Sequence, residues 1–121
     1  ALLRGLRSGQ VSYDHRDRGT DVERDRLAAL GEILRLEKEL TDFPWHTVPH
    51  LIELTTLVTA DERPVSAVTS PGRELAFVVS HTVHHNAIIG IMGTLLGADL
   101  PADFGHAPST LAHQRSRACA R

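Results

Sequence analysis

Between Ser70 and Gly97 the sequence reads as one long helix, and this stretch constrains the fold more than any other. Ser70-Pro71 opens it: the serine hydroxyl can accept from a first-turn amide, and the fixed φ of proline suits the first helical position. Gly97 supplies the left-handed residue that ends it, and Pro101 follows. The span of roughly 27 residues is about 40 Å long at the helical rise. A helix of that length in a chain of 121 residues normally forms one staff of a bundle.

Other segments are shorter. Ala1 to Leu6 reads as the last turns of a helix closed by Gly9, so upstream sequence is expected to be missing. Residues 10–19 are polar and read as a solvated connector. Thr20-Asp21-Val22-Glu23 fits a capping box, in which Thr20 caps the helix and Glu23 reaches back to the cap amide. Leu27, Leu30, Ile33, Leu34 and Leu40 then recur at helical spacing, predicting a helix over Thr20 to Thr41 that ends before Pro44. From residue 47 to 69 threonine and valine dominate, which suits a pleated surface. With Ala60-Asp61-Glu62-Arg63-Pro64 as the turn, a β-hairpin is expected there, packed on helices. Leu111 to Arg121, with Arg115, Arg117 and Arg121, reads as a frayed basic tail.

Composition narrows the function classes. Hydrophobic residues make up 41% and charged residues 23%, as in a globular domain. Thirteen Lys and Arg against fifteen Asp and Glu leave a formal charge of -2, so no global basic field points to nucleic acid. No apolar run approaches the ~18 residues of a membrane span. Cys119 stands alone, so an intrachain disulfide and a Cys-rich zinc ribbon are excluded, and it is a poor nucleophile candidate in a tail. A soluble, cytoplasmic domain is expected.

The anomaly is histidine, present eight times. Three of these fall in His81-Thr82-Val83-His84-His85. At about 100° per residue, His81 and His85 share an arc with Val78, Ile88, Met92 and Leu95, which should face a core. Ala76, Gly90, Gly93 and Thr94 form a small-residue face opposite. Two imidazoles four residues apart can converge on one ion, and imidazole suits zinc, nickel, copper or iron. Two histidines do not complete a catalytic site, which keeps three protein ligands and an open position. The metal-free alternative is a pair of neutral histidines hydrogen-bonded within the bundle, or two partly exposed at a groove. Glu74, seven residues before His81, is a candidate partner or general base, with a helix-dipole charge as the plainer reading. His46 and His50 are the local candidates for a third ligand, with a loop-surface role as their alternative. A Gly-rich phosphate loop and a Gly-x-Ser-x-Gly elbow are absent, and Thr82 stands where a metalloprotease motif needs glutamate.

The stretch Phe77-Val78-Val79-Ser80-His81-Thr82-Val83-His84-His85-Asn86-Ala87-Ile88-Ile89, with Leu100-Pro101 and Phe104-Gly105-His106-Ala107-Pro108-Ser109-Thr110, resembles the DinB-like superfamily. The resemblance implies a mainly α (α+β) four-helix bundle with a β-hairpin before its last helix and its first part missing. On this reading residues 1–110 form a single partial domain and 111–121 a flexible basic tail. It further implies a divalent metal, zinc or nickel, on His81 and His85, a third ligand from a helix before Ala1, and His84 as a non-ligand. Enzymes of that family include thiol S-transferases and a mycothiol-dependent isomerase, in which a metal lowers the pKa of a thiol.

These readings lead to two competing expectations. One is a divalent-metal-dependent enzyme of the thiol-transferase or hydrolase type, with a small-molecule thiol as substrate and a homodimeric state built on the small-residue face. The other is a non-enzymatic, dimerising helical module with structural histidines. DNA binding has only the arginine tail behind it, and no membrane or nucleic-acid partner is expected.

Overall fold

The structure, a computed structural model, describes residues 1–60 and 63–119, with side chains as far as residue 117. Asp61 and Glu62 of the expected turn, and the side chain of Cys119, lie outside the described residues. The chain divides into two compact units, residues 1–74 and 75–121.

In the first unit, α1 (Leu2–Ser8) ends at Gly9, whose φ of 77° is the left-handed conformation glycine adopts without strain. The chain turns at once into β1 (Gln10–Ser12), which pairs in parallel with β2 (Ile52–Thr56), Val11 opposite Leu54. β2 pairs antiparallel with β3 (Val65–Thr69), Ile52 opposite Thr69, so the hairpin forms as expected and the sheet order is β1-β2-β3. Residues 10–12 are thus a strand and not a connector. With one apolar residue, Val11, the segment is too short to show alternation in sequence.

The core of this unit lies where α1 meets β1 and β2. Leu6 and Val11 are 1% exposed and Ile52 3%, with Leu2, Leu3 and Phe43 around them. Burying each such side chain contributes about 1.5–3 kcal/mol. The packing depends on Gly5: a Cβ there would stand 2.5 Å from Val11 Cγ2 and 2.7 Å from the Gln10 carbonyl oxygen. Arg7 extends the contact toward α2 (Arg26–Thr41), lying 5.3 Å over the Phe43 ring and 3.4 Å from Glu39.

α2 begins later than the capping box suggests. Residues 21–23 form a single 3-10 turn, and Glu23 accepts from the Gly19 amide. The working N-cap is Asp25, whose Oδ1 accepts from the Leu27 amide at 2.7 Å. The helix ends at Thr41, before Pro44.

The long helix, α3 (Pro71–Leu95), starts and stops where the punctuation places it. Ser70 Oγ accepts from the Arg73 amide at 3.3 Å. At the other end Ala98 N–H donates to the Gly93 carbonyl and Gly97 N–H to that of Thr94, with Gly97 at φ 74°: the paired bonds of a Schellman cap. In the second unit the chain then folds back along α3. Leu100 packs beside Gly93, Phe104 beside Gly90, and Gly105 against the backbone of Ala87. Gly90 and Gly93 of the small-residue face offered above for dimerisation are therefore covered by the chain's own loop, while Ala76 and Thr94 on that face are exposed. α4 (Pro108–Cys119) takes in residues 111–119 of the expected frayed tail, whose last arginine, Arg121, lies outside the described residues.

The four-helix bundle is not found. The elements that pack are α1 on β1, β1 on β2 and β2 on β3, and within neither unit do two long helices lie side by side among the described residues. Among the described residues the chain forms four α-helices and a three-stranded mixed sheet. A long apolar helix requires cover, but that requirement does not dictate cover by other helices. On α3 the arc expected to face a bundle core is open, with Ile88 41%, Met92 56% and Leu95 81% exposed.

Candidate functional site

Helical geometry alone brings His81 and His85 together. Side chains four residues apart on α3 stand one above the other, and the two rings meet edge-to-face with centroids 4.5 Å apart. Their Nε2 atoms are 3.0 Å apart. Both residues are exposed, as is His84. Phe77 stacks on His81 at 5.6 Å and so limits the swing of that ring. The His84 ring lies 5.6 Å from that of His85 and 6.4 Å from that of His81, beside the pair.

Two nitrogens at this distance admit two arrangements. In one, a neutral ring donates Nε2–H to the bare Nε2 of the other, which then carries its proton on Nδ1. In the other, both Nε2 atoms are bare and share a cation. At metal–nitrogen bonds of about 2.0–2.1 Å, the separation of 3.0 Å corresponds to roughly a right angle at the ion, so the donor pair fits a transition metal. A third protein ligand is missing: among the described residues no group of three or more His, Cys, Asp or Glu could hold a metal ion.

Glu74, the candidate partner or general base, is engaged by three donors. It belongs to the first unit and is fully buried. Its Oε2 accepts from Tyr13 Oη at 2.7 Å, and its Oε1 from Thr69 Oγ1 and an Arg73 guanidinium nitrogen, both at 2.8 Å. Burial alone would push its carboxyl up. The three hydrogen bonds, Tyr13 first, and the charge of Arg73 outweigh burial and hold it below the ordinary range. Tyr13 is driven the other way, above the usual phenol value, by its own burial and then by the Glu74 carboxylate. Sequence reading missed Tyr13, which sits in a segment taken for a polar connector.

His46 and His50 are brought together within the first unit. They line a cavity of about 450 Å³ in the first unit, with Trp45, Pro49 and the Ser70–Gly72 start of α3. Trp45 is held there by Phe43, ring centroids 4.7 Å apart, and by donating to the Leu40 carbonyl. The second unit has its own cleft of about 620 Å³ where residues 98–106 fold back on α3. Ile91, Leu95, Leu100 and Phe104 give it apolar walls, and Asp99 and His106 give it polar ones.

By length and composition α3 passes as a membrane span, with a mean hydropathy of 1.3 over its best window. The sequence reading found no such run because Ser80, Thr82, Asn86 and the histidines interrupt it.

No family model matches the chain, and no solved structure matches it. The chain is similar to FK506-binding protein 5 of Rhizopus delemar, 35% identical over 104 residues. The match takes in 85% of this chain and spans 27% of the length of that relative. These findings correct the resemblance drawn from His81-Thr82-Val83-His84-His85 and the Phe104–Thr110 stretch, since the relative found is an FK506-binding protein and no DinB-like protein. The expectation of a DinB-like metal-dependent thiol transferase or hydrolase falls with it. Short histidine and glycine-proline motifs follow from helix pairing and capping chemistry, so they recur without common descent.

Proposed function

We propose that this chain is a ligand-binding module within a longer protein of the kind represented by FK506-binding protein 5, and that its ligand is a divalent transition-metal ion on His81 and His85. The observation that carries this reading is the 3.0 Å approach of the two Nε2 atoms on one exposed helix face. Zinc and nickel suit two neutral imidazoles, with the remaining positions left to water or to an incoming ligand. Calorimetric titration of the metal-free chain with zinc or nickel should show one site per chain. The His81→Ala/His85→Ala double variant should lose it while keeping its fold. Equal binding by both proteins would place the metal elsewhere.

A second reading is favoured by the sequence relation itself: the chain binds FK506, or shares in a peptidyl-prolyl isomerase-like function, through the cleft of the second unit. Its volume of about 620 Å³ lies in the range of small-molecule sites. Titration with FK506, beside Leu100→Ala and Phe104→Ala variants, tests this. Saturable binding weakened by both changes would support it, and no binding by the parent chain would dismiss it.

A further inference from the structure

The face of α3 that carries His81 and His85 has two further properties. It holds no fixed charge: between Glu74 and Asp99 the sequence has no Asp, Glu, Lys or Arg. A helix face turned permanently to water normally carries such residues. It is also apolar and open, with Phe77 38%, Ile88 41%, Met92 56% and Leu95 81% exposed along the arc of the two imidazoles. The chain's own loop lies on the opposite side, where Leu100 and Phe104 pack beside Gly93 and Gly90.

We infer, on the metal reading proposed above, that this face is a homodimer interface in which two copies of the chain share one zinc ion, each giving His81 and His85. Zinc in a closed site takes four protein ligands. One chain gives two, and among the described residues no group of three or more could hold the ion. A two-fold axis through the ion brings the same pair from a second copy and, by symmetry, sets the same face against the first. The Nε2 atoms, 3.0 Å apart, must open to about 3.3 Å, the edge of a tetrahedron with zinc–nitrogen bonds of about 2.0–2.1 Å. Two exposed rings can make that movement, while Phe77, stacked on His81 at 5.6 Å, keeps the first ring on this face. Phe77 precedes the pair along the arc and Ile88 and Met92 follow it, so closing the interface removes apolar surface from water on both sides of the ion. No like charges meet there. Area makes the association conditional. A whole aromatic side chain buries only about 150–250 Å², so four partly covered apolar ones fall short of the ~800 Å² that each partner gives to a stable interface. The apolar stripe alone does not hold two copies together; the shared ion does. Sharing also needs limiting zinc, because in excess each pair takes an ion of its own and the copies part.

The test is sedimentation velocity of the full chain at rising zinc, with the zinc content of each species measured. At one ion per two chains the mass should be twice 13.2 kDa. With EDTA, or with zinc in large excess, it should return to that of one chain. His81→Ala/His85→Ala should stay monomeric at every ratio. Met92→Glu, at an exposed position that leaves both imidazoles in place, should weaken the association at least about tenfold and still take up one ion per chain in excess zinc. Zinc bound with no change of mass would overturn the sharing and leave the metal reading standing, whereas no zinc bound would remove both. A dimer that survives EDTA, one that carries an ion per chain, or one indifferent to Met92→Glu would each overturn the inference. A chain that stays monomeric with zinc and pellets with phosphatidylcholine vesicles would overturn it too, and would give the face to a lipid surface.

Discussion

Single residues in this chain differ sharply in how much they bear. Gly9 and Gly105 share a φ of 77°, yet an added Cβ at Gly9 meets open space while one at Gly105 would lie 2.7 Å from the Ala87 backbone. Gly9→Ala should cost about 1 kcal/mol for the left-handed backbone alone. Gly105→Ala adds a clash that neither backbone can relieve and should cost at least ~2 kcal/mol more. Urea unfolding of the two variants side by side checks the order. His81 and His85 lie at the other extreme. Both rings are exposed, so replacing them should change stability by no more than about 0.5 kcal/mol. A larger loss in the same urea experiment would mean that the rings serve the fold itself. Glu74 sets an acid limb on the stability curve. Its folded carboxyl sits below the ordinary value of 4.5, so its contribution is complete above that pH and is lost as pH falls through the lowered value. Tyr13, raised above 10.0, contributes below that pH and loses its share as pH rises through the raised value. Thermal melts across pH should therefore show a plateau between these limits, and Glu74→Gln should flatten its acid side.

Elements were legible in the sequence where their punctuation is chemical. Ser70-Pro71 and Gly97 bracket α3 because a hydroxyl cap, a fixed φ and a left-handed residue are each tied to one residue type. The hairpin was legible from β-branched residues on both sides of a turn. β1 was not, because three residues carry no period and its pairing with β2 is made across the intervening α2. The start of α2 was misplaced for a related reason: Thr20 and Asp25 are both good caps, and only the 3-10 turn between them decides which is used. Asp25→Ala should accordingly cost about 1 kcal/mol, whereas Thr20→Ala, which removes no cap bond, should cost less than half of that. Circular dichroism during thermal unfolding distinguishes the two. In the candidate site, the i, i+4 pairing of His81 and His85 was readable from spacing. The capture of Glu74 by Tyr13 was not, since it joins positions 61 residues apart.

At the scale of the whole molecule, the bundle expectation failed because an apolar stripe specifies that a face wants cover and leaves the covering element open. Gly90 and Gly93 on the small face of α3 are covered by Phe104 and Leu100, and the buried apolar cluster of the first unit forms on α1, β1 and β2. The 35% identity to FK506-binding protein 5 spans 27% of that protein, so this chain's own chemistry has to be sought in its own residues. The pair of imidazoles on α3 is the part of that chemistry the geometry makes most specific. A bound ion should stabilise the chain by mass action, about 2.7 kcal/mol at a hundredfold excess over Kd, and that gain should be absent from the double variant. The most direct measurement is metal content by elemental analysis of the purified chain after equilibration with zinc and desalting, beside His81→Ala/His85→Ala. One equivalent in the parent and none in the variant is the predicted result. Equal metal in both, or none in the parent, would contradict the assignment and leave the 3.0 Å contact as a hydrogen bond between two neutral rings.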